Sequence, residues 1–153
     1  MSRFSVLQQK FNELKAAEEA YWLDLQEAVE EVISGFGSYL KVPEQTLNSV
    51  GLPVKWIYLG KVADSQFNEC AVSELPKREE FLWFTVGLAL SAEFSEKPKS
   101  FHSVSLMIRK VGDSYQITSV GSVIPQITIK NRDFGELFSA LDRRVETLLD
   151  QGQ

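Results

Sequence analysis

The residues that could do chemistry in this chain are few: one imidazole, His102, and one thiol, Cys70. Nucleophilic catalysis usually requires a base beside the nucleophile, and no Gly-Xaa-Ser-Xaa-Gly turn accompanies His102 to supply a serine hydrolase elbow. A zinc site needs about four ligands, commonly His and Cys in paired spacing. One of each cannot provide it. The carboxylate doublets Glu18-Glu19, Glu30-Glu31 and Glu79-Glu80 point in different directions on a regular helix or strand, which makes each a poor chelator by itself. The nine glycines are scattered and lack the spacing and the Lys-Ser or Lys-Thr of a phosphate-cradling loop. The expectation is therefore a chain without a catalytic, metal or cofactor site, and with no cofactor.

What remains are side chains out of place in their patterns. Glu18 falls in the centre of a helical apolar arc, between Leu14 and Trp22, where a carboxylate is costly unless paired or wet. Trp83, with Phe81, stands on a strand face otherwise built of Thr85, Gly87, Ala89 and Ser91, where it would wall a pocket or anchor an interface. His102 sits at the mouth of a strand, on the same face as Val104, Leu106 and Ile108. Glu18, Trp22, Phe81, Trp83 and His102 are the candidate interface or pocket residues. Gly87, in the middle of a long strand, suggests a bulge or bend.

These residues hang on elements that the hydropathy pattern predicts. Over residues 4 to 34, Leu7, Phe11, Leu14, Tyr21, Leu25, Ala28, Val29 and Val32 share one arc at 100° per residue, opposite Glu13, Asp24, Glu27, Glu30 and Glu31. That is an amphipathic helix, with Ser34-Gly35 and Gly37 as its stop signal. At about 1.5 Å per residue it is longer than most sheets can cover, and positions 7, 11, 14, 21, 25, 28 and 32 also fit a 3.5-residue repeat, with Glu18 as the exception. A linker or short helical turn follows from Lys41 to Asn48. Strands are predicted at Val54 to Val62 and Phe67 to Val72, and a longer one where every second residue from Leu82 to Phe94 is apolar. The alternation resumes around Val104, Leu106 and Ile108, Gly112-Asp113 marks a two-residue hairpin, and Tyr115 to Val120 and Val123 to Ile129 complete a meander. Pro125 suits an edge or a bulge. A second helix follows Asp133, a cap with Glu136 three residues later, and carries the stripe Phe134, Leu137, Phe138, Leu141, Val145 and Leu148.

The fold class expected is α+β: a long N-terminal helix, an antiparallel meander of five or six strands, and a C-terminal helix packed on the sheet, in a single domain over 1–153. At 153 residues the core needs no metal or disulfide staple. A lone cysteine and the lack of any long apolar run point to a cytoplasmic protein with no membrane span. A net charge of −5 argues against nucleic acid as a partner. Residues 1 to 35 carry seven acids against three bases, while basic pairs such as Lys130 with Arg132 lie in the second half. That asymmetry suggests an acidic helix meeting a basic partner or a basic patch on a twin. The function expected is a non-enzymatic protein-interaction module of adaptor, chaperone or toxin-neutralising type, homodimeric, binding a protein partner or itself. The alternative is a weakly enzymatic or small-molecule-binding domain, with an apolar ligand in a cavity between sheet and final helix rimmed by His102, Trp83 or Tyr115.

Overall fold

The amphipathic run at the start of the chain is longer than its stop signal implies. In the computed structural model, which describes residues 2–42, 55–90 and 100–151, helix α1 spans Arg3–Leu40. Ser2 caps it by accepting the Ser5 N–H at 3.1 Å. Gly35 and Gly37 do not end it. A Cβ at Gly35 would lie 2.6 Å from Phe138 Cζ, so this glycine lets the two helices approach closely. The stop falls at Lys41, left-handed at φ 56°, whose N–H returns to Gly37 and Ser38. The linker predicted to Asn48 and the start of the first strand, at Val54, lie outside the described residues, as do Ala92 and Phe94 of the alternating run.

Among the described residues seven strands form one antiparallel sheet: β1 Ile57–Ala63, β2 Gln66–Glu69, β3 Lys77–Arg78, β4 Phe81–Leu90, β5 Ser100–Val111, β6 Ser114–Ser119 and β7 Ile127–Lys130. The spatial order is β2-β1-β4-β5-β6-β7, and the short β3 pairs with the first residues of β4. The α+β class and its meander therefore stand, with more strands than the five or six predicted. The hairpin at Gly112-Asp113 is present, closed by the pair Val111↔Ser114. A second two-residue hairpin, at Asp64-Ser65, had no glycine to announce it. Both residues are left-handed there, at φ 52° and 62°. The strand predicted to Val72 stops at Glu69, and a 3₁₀ turn occupies Val72–Glu74. Pro125 precedes the edge strand β7 rather than lying within it. Helix α2, Gly135–Gln151, starts where Asp133 Oδ1 accepts the Gly135 N–H at 3.3 Å.

Both helices lie on one face of the sheet. Leu25, Ala28, Val29, Val32 and Phe36 of α1 and Leu137 and Leu141 of α2 are buried with Leu82, Phe84, Val86, Val104, Leu106, Ile108 and Ile117, the inward residues of the central strands. Among the described residues no helix lies over the opposite face, which covers itself with aromatic rings. A Cβ at Gly87 would come 2.3 Å from Phe101 Cζ, and one at Gly60 would come 2.6 Å from Phe67 Cζ. Phe101 in turn meets Phe67 at 4.8 Å and Tyr58 at 5.7 Å between ring centroids. Gly87 marks no bulge, because β4 and β5 stay in register from Leu82↔Ile108 to Leu90↔Ser100. It is the floor beneath a ring.

Candidate functional site

The sheet covers only the second half of α1. The helix is about 57 Å long at 1.5 Å per residue, and its buried residues begin at Leu25. Ahead of them, Phe4, Leu7, Phe11 and Leu14 are 72%, 50%, 57% and 66% exposed. Their spacing of three, four and three residues puts them in one row, about 100° of turn per residue bringing the row to the same side of the helix that Leu25, Val29, Val32 and Phe36 turn to the sheet. The apolar stripe is continuous. From Leu25 onward it is core, and from Phe4 to Leu14 none of the described residues covers it. Glu18 is exposed in the middle of the stripe, where the free half meets the packed half.

The junction is built by residues that sequence reasoning only partly found. Tyr21 donates its hydroxyl hydrogen to the Glu80 carbonyl at 2.5 Å and accepts the Lys110 N–H at 3.3 Å, so the helix is pinned to the start of β4 and the end of β5. Trp22 is half-buried, edge-on to Tyr21 at 5.0 Å, with the Lys77 ammonium 5.4 Å from its ring centroid. Strand pairing explains this partner: Lys77 is opposite Leu82, an inward residue, so it emerges on the helix side. Its neighbour Arg78 is opposite Phe81 and emerges on the outer face, where its guanidinium stacks 4.9 Å from the Trp83 ring centroid. Arg109 covers Phe81 at 5.1 Å and is ion-paired with Glu80.

One turn further along α1, Asp24 gathers three donors. It accepts from the Lys110 ammonium, from the Tyr115 hydroxyl at 2.5 Å and from Arg132 at 2.5 Å. Arg132, left-handed at φ 55° in the turn before α2, also bonds Glu31 at 2.9 Å. Burial pushes the Asp24 carboxyl up, but the bonds from Lys110, Tyr115 and Arg132 together outweigh it and hold the group at about 2. The bond to Asp24 raises Lys110, the bonds to Tyr115 and Asp24 raise Arg132, and burial followed by the Asp24 carboxylate raises Tyr115. Every member is driven away from neutral pH, so the cluster is a charged clamp between helix and sheet and not a proton-transfer device. Within the chain, Lys110 and Arg132 engage Asp24 and Glu31 on the acidic side of α1. The sequence offered a signal, acids on one helix and basic pairs in the second half, but not their pairing.

The candidate residues do not converge on one pocket. Glu18 and Trp22 lie one turn apart at the junction. Phe81 and Trp83 lie nearby but on the outer face, so α1 does not cover Trp83. His102 pairs with Leu88 towards the other end of the sheet, about 17 Å along the strands at 3.4 Å per residue from the pair Trp83↔Met107. The Trp83 indole nitrogen and His102 Nε2 are buried and make no hydrogen bond among the described residues. A recess of about 430 Å³ does lie between the end of α1, α2 and the end of β4, with Phe36, Leu40, Trp56, Leu88, Val145 and Leu149 among its walls. The recess lies between the sheet and the final helix, and His102, Trp83 and Tyr115 are not among its walls. Its charged groups are Lys41, Asp142 and Glu146. Among the described residues no cluster of three or more metal-ligating side chains occurs, and no helix is long and apolar enough to cross a membrane. Comparison of the chain with protein-family models, with curated proteins and with solved structures finds no match.

Proposed function

We propose that this protein is a non-enzymatic interaction module that works through the free half of α1, and that the surface it engages is the same half-helix of a second copy. One observation carries the reading: four large apolar side chains, Phe4, Leu7, Phe11 and Leu14, stand in a single uncovered row on a helix whose continuation is core. A helix of this length gains little stability in water from propensity alone, and most helices persist because an apolar face is packed. Contiguous exposed apolar surface of this kind marks binding sites. The row has the three-four spacing that another helix fills by knobs-into-holes packing. The charges of the free half sum to zero, Arg3, Lys10 and Lys15 beside the row against Glu13 and Glu19 beside it and Glu18 within it, which matches a like-composed surface better than a strongly charged one.

Sedimentation equilibrium over a dilution series tests the reading. The expected result is a dimer that dissociates on dilution, and a monomer at all concentrations for the Leu7→Asp, Phe11→Asp double variant, with its sheet intact by circular dichroism. A wild-type chain that stays monomeric throughout sinks self-association. The apolar recess beside Trp56 favours a second reading, a small apolar ligand held between α1, α2 and β4. Titration with a fluorescent apolar probe, with Val145→Trp to fill the recess, separates it from the first, since only ligand binding depends on that volume.

A further inference from the structure

Resting on the self-association reading, we infer that the two half-helices pair antiparallel, centred on residue 9, with Phe4 of each copy against Leu14 of the other and Leu7 against Phe11. The stripe and the sheet decide the orientation together. From Leu25 on, the side of α1 that bears the stripe is occupied by the chain's own sheet. In a parallel, in-register pair the second helix would continue along that side and run into this sheet. Parallel pairing would also set Glu18 opposite Glu18 and bring Lys10 near Lys15, like charges in the seam and along its flank.

Reversing the second copy removes the collision with the sheet and the pairing of Glu18 with itself, and it leaves one like-charge contact, Lys10 beside the Lys10 of the other copy, on an exposed flank where it costs little. The spacing of the stripe, three-four-three, reads the same in both directions, so an inverted copy presents the same ladder. The second helix then begins, at Ser2 and Arg3, opposite residues 15 and 16, and the incoming chain lies ahead of the first sheet instead of within it. Glu18 comes just beyond the start of the second helix, past the last apolar pair, where its carboxylate stays in water instead of in the seam. An acid that is a misfit in an isolated amphipathic helix thus becomes the group that ends the seam and fixes its register, the use to which single polar residues at core positions of paired helices are put.

Nitroxide labels on the far side of α1 test the orientation without touching the stripe. Gln9 and Ala16 are both exposed and lie opposite it, and each is converted to cysteine in a Cys70→Ala background for dipolar spin-resonance distances between copies. Antiparallel pairing predicts a short distance for Gln9→Cys and a longer one for Ala16→Cys, with about 21 Å of axial offset from fourteen residues at 1.5 Å. Equal distances at the two positions mean a parallel pair and overturn the inference. No dipolar coupling at either position, with a monomer by sedimentation, overturns the self-association reading beneath it.

Discussion

The Arg132 guanidinium reaches 2.5 Å from the Asp24 carboxylate, tying the turn before α2 to the middle of α1. With Lys110 and Tyr115 on the same carboxylate, three chain segments far apart in sequence meet at one acid. Replacing it by Asn leaves two cations without their shared anion in a site only about a quarter exposed, and the expected loss is about 2 kcal/mol. Urea midpoints of wild type and Asp24→Asn give the number; equal midpoints would show that the clamp is ornamental.

The same carboxyl sets an acid limit. Its folded-state pKa is depressed from 3.8 to about 2, so it contributes stability that is complete above pH 4 and is lost as the pH falls through 2. Wild type should therefore weaken more steeply than Asp24→Asn between those values. The check is the difference between the two unfolding free energies as a function of pH, which should shrink on acidification. A constant difference assigns the clamp's strength to something other than charge.

The fold was largely legible because its signals are local: period two in β4 and β5, period 3.6 in the helices, and Gly112-Asp113 between two strands. The misreadings share a cause. In sequence Gly35, Gly37 and Gly87 read as punctuation of the chain, whereas Gly35 and Gly87 are spaces for the rings of Phe138 and Phe101, partners more than ten residues away that no window contains. Asp24 lies opposite the apolar arc, where nothing in the sequence marks its donors Lys110, Tyr115 and Arg132. The free half of α1 was readable as excess length. Which side of Trp83 the helix would take was not, since both faces of β4 carry buried residues.

Two ring-bearing glycines should respond differently to alanine. At Gly87 the first obstacle is the tip of the half-exposed Phe101 side chain, which can swing away, so Gly87→Ala should cost no more than about 1 kcal/mol, partly offset by alanine's smaller loss of backbone freedom. At Gly60 the Cβ would lie 2.4 Å from the Asn68 carbonyl oxygen, a backbone atom held by the β1–β2 ladder. Gly60→Ala should cost about 2 to 3 kcal/mol. Paired denaturation curves decide the order, and adding Phe101→Ala should erase the Gly87 effect while leaving the Gly60 one.

Cys70 is half-buried beside the core, and burial, with Glu74 and Glu69 near it, pushes its thiol up despite the opposing pull of Lys61. Little thiolate forms near neutral pH, so alkylation by iodoacetamide in native buffer should be several-fold slower than for the unfolded chain. Mass spectrometry of timed aliquots measures both rates. A faster native rate would mark a thiol activated by its surroundings.

Glu18 offers the sharpest contrast between a defect and a device. Among the described residues it makes no hydrogen bond or ion pair that Leu would lose, and it interrupts an otherwise continuous apolar stripe from Phe4 to Phe36. Glu18→Leu should therefore tighten self-association slightly, lowering the concentration at which the dimer forms by about twofold, because a second register of equal apolar contact, Leu7 against position 18 and Phe11 against Leu14, becomes available. The added contact also permits registers other than the one centred on residue 9, because polar groups in helical seams give specificity at the expense of strength. Interchain distances from a label at position 16 should accordingly broaden in this variant while assembly strengthens. Weaker assembly with unchanged distances would mean that Glu18 makes a favourable contact across the pair, and that its charge, rather than its refusal to be buried, holds the two copies together.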